Sequence, residues 1–365
     1  MDNIYKMGKF EAISLIIIIM INKLILNIPY YIVELVGSGA IINIIYIGII
    51  DFFILLLIIK LFEKFDNSDI IDISEFIGGK ILKYIIGIVS VLLFLLVSAI
   101  TLLDFCNVLR TIYFYNFSII YVLIFFIIGI LIANFIGFKS ISRICSLLAP
   151  FAIISVLIAF SAIWNNLNIK NLTPILGESY RQTFVSGLSN TFSMYIIVYF
   201  YFIKPLLKND NKLFKKVSLI SFMISLFLLL LTVISMLTLF NASSSKEPIN
   251  SLFLLARQLE LGNFIQRVDA LFILLWILSI FTYLSFIVFL INRIIRKITN
   301  ISDEKMVSFS TCSILLGLTL IPFNISQYHL VENKIYRYAI IGFMFGLCLV
   351  ILLLANFKKM KKGKL

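Results

Sequence analysis

Three ionisable side chains stand inside long apolar runs: Lys23, Asp51 and Asp104. A charge at bilayer depth is costly, so such residues mark ligand sites, ion or proton paths, or buried pairs. Around the first of them the sequence reads Asn22-Lys23-Leu24-Ile25-Leu26-Asn27-Ile28-Pro29. Two amides and an amine offer hydrogen bonds to a polar ligand. Pro29 takes a donor out of the backbone and strains the turn before it. A second polar stretch holds Asn190, Thr191, Ser193, Tyr195, Tyr199 and Tyr201, then Lys204-Pro205. A buried tyrosine presents an apolar ring and a hydroxyl that needs a partner. These groups suit reversible binding rather than bond-making. The one histidine, His329, lies beside Tyr328, and the sequence has no nucleophile elbow, phosphate loop or zinc motif. The expectation is a binding protein with no catalytic residue, no metal and no cofactor, and not an ATP-driven pump in itself.

The elements that carry these residues follow from composition. The 365 residues are 61% hydrophobic and 13% charged, with mean hydropathy +1.09. A soluble domain has about a quarter of its residues charged. Polar side chains this sparse cannot cover a soluble fold, and so oily a chain is not disordered. The apolar runs are helix-length, which excludes an outer-membrane barrel and leaves an all-α integral membrane protein. The net charge of +13 would point to nucleic acid in a soluble protein. Here the lysines and arginines sit between apolar runs and in the tail, so they set topology and imply no nucleic-acid partner. Cys106, Cys145, Cys312 and Cys348 are too scattered for a disulfide framework or a zinc site.

Ten transmembrane helices are predicted, at about 12–35, 39–62, 84–109, 117–135, 145–165, 185–206, 217–240, 268–292, 308–324 and 338–356. The ninth is the shortest and carries Ser308, Ser310, Thr311 and Ser313. Alternate connections hold 22 of the 31 lysines and arginines on one side, which places both termini in the cytoplasm. The 2–3 connection mixes Glu63, Asp66, Asp69, Asp72 and Glu75 with four lysines and reads as a solvated, partly helical loop. Between spans seven and eight, Pro248, Leu252, Leu255, Leu259 and Gly262 pattern a short amphipathic helix lying over the outer face. The chain is one transmembrane domain, residues 1–365, closing with a basic tail at 357–365.

Spans 1 and 6 each open a set of five, run in opposite directions and carry the two polar interruptions. That is the pattern of an inverted repeat, repeat one at about 12–165 and repeat two at about 185–356, with broken helices meeting at the midplane. The candidate binding residues are therefore Asn22, Lys23, Asn27, Tyr195 and Tyr199. Tyr195 lies about 15 Å into span 6, near the middle of a core about 30 Å thick. Lys23 lies about 16 Å above the inner boundary and Asp51 about 12 Å above it. That difference lets them form a buried pair at the floor of the site, either coupling or purely structural. Asp104, near the outer end of span 3, reads as a structural or interfacial residue.

The chain resembles the B subunits of spore nutrient-germinant receptors, the germination permeases of the amino acid–polyamine–organocation superfamily. The resemblance is carried by Gly8-Lys9-Phe10-Glu11-Ala12-Ile13-Ser14 and Pro29, and by Gly137-Phe138-Lys139-Ser140-Ile141-Ser142-Arg143. It continues in Asn171-Leu172-Thr173-Pro174-Ile175-Leu176-Gly177-Glu178 and in Phe264-Ile265-Gln266-Arg267-Val268-Asp269-Ala270-Leu271-Phe272 followed by Trp276. It implies a LeuT-type five-plus-five fold in the spore inner membrane or cell membrane. It also implies a small nutrient ligand, often an amino acid, with an A subunit and a lipoprotein C subunit as partners. An autonomous proton- or sodium-coupled amino-acid permease is the alternative. Where that family has Gly-x-Gly in span 1 and Gly-x-Glu in span 6, this chain has Asn22-Lys23-Leu24 and Ile197-Val198-Tyr199. Glycines permit unwinding and close backbone approach. Their absence implies either a ligand other than an ordinary amino-acid carboxylate or a degenerate site.

Overall fold

The computed structural model describes residues 5–112, 116–162, 167–208, 211–239, 268–321 and 335–362. The described residues are nearly all helical. An isolated bridge between Met7 and Leu207 is the one extended pairing among them. The helices are α1 (Lys9–Ile25), α2 (Ile28–Val36), α3 (Ala40–Phe62), α4 (Ile70–Ile112), α5 (Ile119–Ile136) and α6 (Phe138–Ala162). They continue with α7 (Ile196–Ile203), α8 (Asn211–Leu239), α9 (Val268–Thr299) and α10 (Glu304–Thr319). The last rod is α11 (Arg337–Ile341), a π-helical stretch Gly342–Leu349 and α12 (Val350–Lys362).

Among the described residues seven helical segments are long and apolar enough to cross a membrane. Their outer faces leave Phe53, Leu92, Phe125, Ile136, Leu147 and Phe151 more than half exposed. Contiguous apolar surface of this kind needs lipid, not water. Many hydroxyl side chains inside the spans are satisfied within their own helix: Ser90 donates to Ile86 O and Thr101 to Val97 O. That is the condition hydrocarbon imposes on any buried polar group. Hence the chain is a multi-pass membrane protein.

The other three predicted spans are the exceptions. α1 stops at 17 residues and α10 at 16. Span 6 is a π-helical turn Arg181–Val185, a 3₁₀ segment Ser186–Met194 and then α7. Runs of 3₁₀ beyond about four residues are uncommon and mark hinges or strain.

The 2–3 connection is helical, as its mixed charge predicts, but it runs directly into span 3. Gly78 and Gly79 turn the chain between them, with Gly79 at φ 67°, a conformation that suits glycine. The predicted outer helix around Pro248–Gly262 lies outside the described residues, as does His329. α1 is the hub, packing on α6, α8 and α9, while α9 packs on α4, α5, α6 and α10. The cysteines are all buried free thiols.

Candidate functional site

The break in span 1 falls at Leu26 and Asn27, whose backbone is non-helical. The break thus falls within the polar stretch 22–29, but not at Asn22-Lys23-Leu24, where the resemblance implies it; those residues remain in the last turns of α1. The cause is local. Pro29 has no N–H to offer Ile25 O, and it then sits in the first turn of α2, where a proline is tolerated. Asn22 stays helical because its Nδ2 donates to Ile18 O at 2.8 Å, one turn back. The same nitrogen donates to Ser279 O on α9 at 3.1 Å, tying the end of α1 to that helix.

Tyr195 closes the 3₁₀ segment and starts α7. Its hydroxyl donates to Ile19 O on α1. Its ring meets Tyr199 edge-on at 6.1 Å, and the Tyr199 hydroxyl lies 3.3 Å from that of Tyr283 on α9. Phe94 and Phe286 close the other faces of Tyr199, with ring centroids at 5.7 and 6.1 Å. The Lys23 ammonium lies 4.7 Å above the Tyr336 ring, an attraction between a cation and the negative face of the π system. Asn22, Lys23, Tyr195 and Tyr199 thus meet where α1, α7 and α9 converge.

Asn27 stands apart from that cluster, at the break itself. Its Nδ2 donates to Asp104 Oδ2 at 3.1 Å. Asp104 is only 7% exposed, so of its structural and interfacial readings the structural one describes it: a buried partner of the break.

Lys23 and Asp51 do not form the expected pair. Neither carboxylate oxygen of Asp51 has a hydrogen-bond partner, and the side chain is fully buried. Matching depths along the membrane normal do not bring two helices together. α3 packs chiefly on α8 and on the 186–194 segment, and α8 also packs on α1.

Trp276 and Tyr283 escaped the sequence reading of the site, although Trp276 is quoted in the resemblance. Trp276 is one turn before Ser279 on α9, and its ring meets Phe105 edge-on at 5.0 Å. Its Nε1 and the Oδ1 of Asn22 are buried without hydrogen-bond partners. An unsatisfied donor or acceptor in hydrocarbon is expensive, so each is suited to a ligand that supplies its missing bond. The signal in the sequence is a lone tryptophan and tyrosine on an apolar helix that carries Ser279, Thr282 and Ser285.

Backbone hydrogen bonds tie together the end of the bundle that carries the segment before α1. Met7 N–H donates to Leu206 O at 2.7 Å and Lys208 N–H to Met7 O at 3.3 Å, joining the segment before α1 to the end of α7. Gly8 N–H and the Tyr5 hydroxyl both donate to Glu11, at 2.9 and 2.6 Å, fixing the entry to α1. Lys204 buries its ammonium against Phe62 O and Phe65 O at the C-terminal end of α3.

The architecture defines a class: a multi-pass helical membrane protein with interrupted helices around a buried, polar-lined centre. Comparison with known families narrows it. The spore germination protein family, a membrane family of permease type, matches residues 6–328, and the chain belongs to that family. No curated protein matches the chain.

Proposed function

We propose that this chain is the permease-like subunit of a spore nutrient-germinant receptor. It binds a small nutrient where the end of α1 meets Tyr195, Tyr199 and Trp276. The observation that carries this is the unsatisfied pair of Asn22 Oδ1 and Trp276 Nε1 beside a helix break. In this reading α1–α2 and the 181–206 segment are the broken helices 1 and 6 of a ten-helix, LeuT-type five-plus-five repeat. Both termini face the cytoplasm, an A subunit and a lipoprotein C subunit are the partners, and the membrane is the spore inner membrane. Asn22 and Leu24 stand at the two glycine positions, and Lys23 between them puts a buried cation in the last turn of α1 just before the break, which favours a ligand different from an ordinary zwitterionic amino acid. The support is the family membership and the placement of the Met7, Asp69, Lys204 and Lys358 contacts at one end of the bundle.

The test is a strain that retains this receptor alone, screened against single nutrients. A response that is lost with Trp276→Phe and with Asn22→Leu, while the protein still accumulates, supports the reading. Spores that respond without the A and C partners refute it. Accumulation of labelled amino acid by vesicles carrying the purified chain would establish an autonomous permease instead.

A further inference from the structure

The strongest observation outside the proposed nutrient site is Asp51. Its carboxyl group is fully buried and both oxygens lack a hydrogen-bond partner. The helix pairing shows what faces it. Gly48, one turn before Asp51, packs against Leu226 of α8, and the Phe52 ring lies 6.1 Å from that of Phe222. In this antiparallel register Asp51 stands opposite the turn 221–225 of α8. Two serines of the same α8 stripe as Phe222, Ser218 and Ser225, are buried with hydroxyls that have no partner. An unpaired carboxylate among them would cost several kcal/mol, so a counter-charge must accompany it.

Among the described residues no other charge is positioned to supply one. α8 carries only Lys212, Lys215 and Lys216, in its first turns, and the 181–194 segment carries only Arg181. α2 brings Tyr30, Tyr31 and Glu34, α12 brings Lys358, Lys359, Lys361 and Lys362, and α3 itself has Tyr46 and Lys60, all toward helix ends. None of these forms a hydrogen bond or ion pair with Asp51. A metal ion needs a shell of several oxygens. Here α8 offers Ser225 and Ser221 within a turn, and the Ser221 hydroxyl already donates to Val217 O at 2.6 Å. A proton needs one lone pair and no shell.

The attachment of α3 adds a mechanical element. Near its outer end Asn43 Nδ2 donates to Thr183 O at 2.8 Å, and its Oδ1 accepts from Asn190 Nδ2 at 2.7 Å. At its inner end Lys204 holds the carbonyls of Phe62 and Phe65. α3 is thus bolted at both ends to the interrupted span 6. Between these two attachments the middle of α3 carries the unsatisfied Asp51, and the α8 helix it packs on carries the unsatisfied Ser218 and Ser225. Movement of span 6 carries α3 across α8 and changes what Asp51 faces.

We propose that Asp51 is a proton-binding site: its carboxyl group holds one proton while α3 lies against α8 as here, and gives it up when that face opens. One proton passes between Asp51 and water, and no other bond changes. As α3 shifts along α8 and water enters, the free hydroxyls of Ser218 and Ser225 come within reach to donate to the carboxylate. The state of the helix 3–helix 8 contact is in this way linked to pH. The inference needs no nutrient and stands apart from the nutrient-site reading.

Infrared spectroscopy of the purified full chain in potassium-buffered vesicles tests it. A carboxylic-acid carbonyl band at neutral pH, lost in Asp51→Asn, is the expected result. Ser218→Ala with Ser225→Ala should move the pH at which the band bleaches. If Asp51→Asn does not fold, Asp51→Glu should retain the band at a shifted frequency. Four results would each overturn the proposal: no such band in the unaltered chain, a band unchanged by substituting Asp51, a band abolished by exchanging potassium for sodium, or a bleaching pH indifferent to both serines.

Discussion

Replacing Lys297 by methionine removes the centre of the ion network that ties the 2–3 connection to the end of α9. Lys297 Nζ lies 2.6 Å from Asp69 Oδ2 and 2.7 Å from Asp72 Oδ2, and Arg293 lies 3.6 Å from Asp69. Asp69 also caps α4, accepting from the N–H groups of Ile71 and Asp72 at 3.1 Å. Breaking a buried pair by removing one partner costs about 3–5 kcal/mol, because the other charge is stranded. The Asp69 side chain is 3% exposed but Lys297 is 24% exposed, and Arg293 remains, so the lower end applies. The expected loss is about 3 kcal/mol near neutral pH. Burial pushes the Asp69 carboxyl up, but the charges of Lys297 and Arg293 outweigh it and hold it below the usual carboxylate range. Its stabilising contribution is therefore complete above the unfolded value of about 3.9 and is lost as pH falls through the lower folded value. Without Lys297 the two carboxylates repel until protonated, so the deficit of the variant shrinks on acidification. Denaturation midpoints in micelles across a pH series measure this. The double variant Asp69→Asn, Lys297→Met should recover most of the loss. No deficit at neutral pH, or one that persists unchanged in acid, would refute the reasoning.

Asn43→Leu breaks both links from α3 to the 181–194 segment and should cost about 2–3 kcal/mol in the same assay. Gly187→Ala should phenocopy it more mildly, at about 1–3 kcal/mol. Its added Cβ would lie 2.2 Å from Asn43 Nδ2. Lys204→Met leaves the carbonyls of Phe62 and Phe65 without their donor, so a cysteine placed at Leu207 should become more reactive to an aqueous thiol reagent. Tyr195→Phe should destabilise more than Tyr199→Phe, because the first donates to the Ile19 carbonyl while the second sits 3.3 Å from another hydroxyl. Equal midpoints for the two would contradict that assignment.

How much of this was legible in the sequence depends on which kind of information each feature needs. The multi-pass class follows from composition alone, because apolar residues in such excess have no other solvent. Interruption of span 1 is legible from Pro29, yet the break lies beyond Lys23. A side-chain amide that bonds its own preceding turn, as Asn22 does, preserves the helix that its polarity appears to oppose. Span 6 is legible as a polar stretch, but its π and 3₁₀ geometry is not, since that is set by the packing of Asn43, Asn190 and Thr183. The failed pairing of Lys23 with Asp51 is the most instructive case. Hydropathy fixes a residue's depth but not the direction in which it points, and a buried ion pair requires both. Direction is set by neighbouring helices, here by α8, whose serines look unremarkable in a leucine-rich span. The same reasoning explains Asp104. At its depth it could equally snorkel or pair, and only the turn at Leu26 and Asn27 brings Asn27 within 3.1 Å of it. Polar residues in a membrane sequence thus announce that a site exists, while the helix breaks decide which of them belong to it.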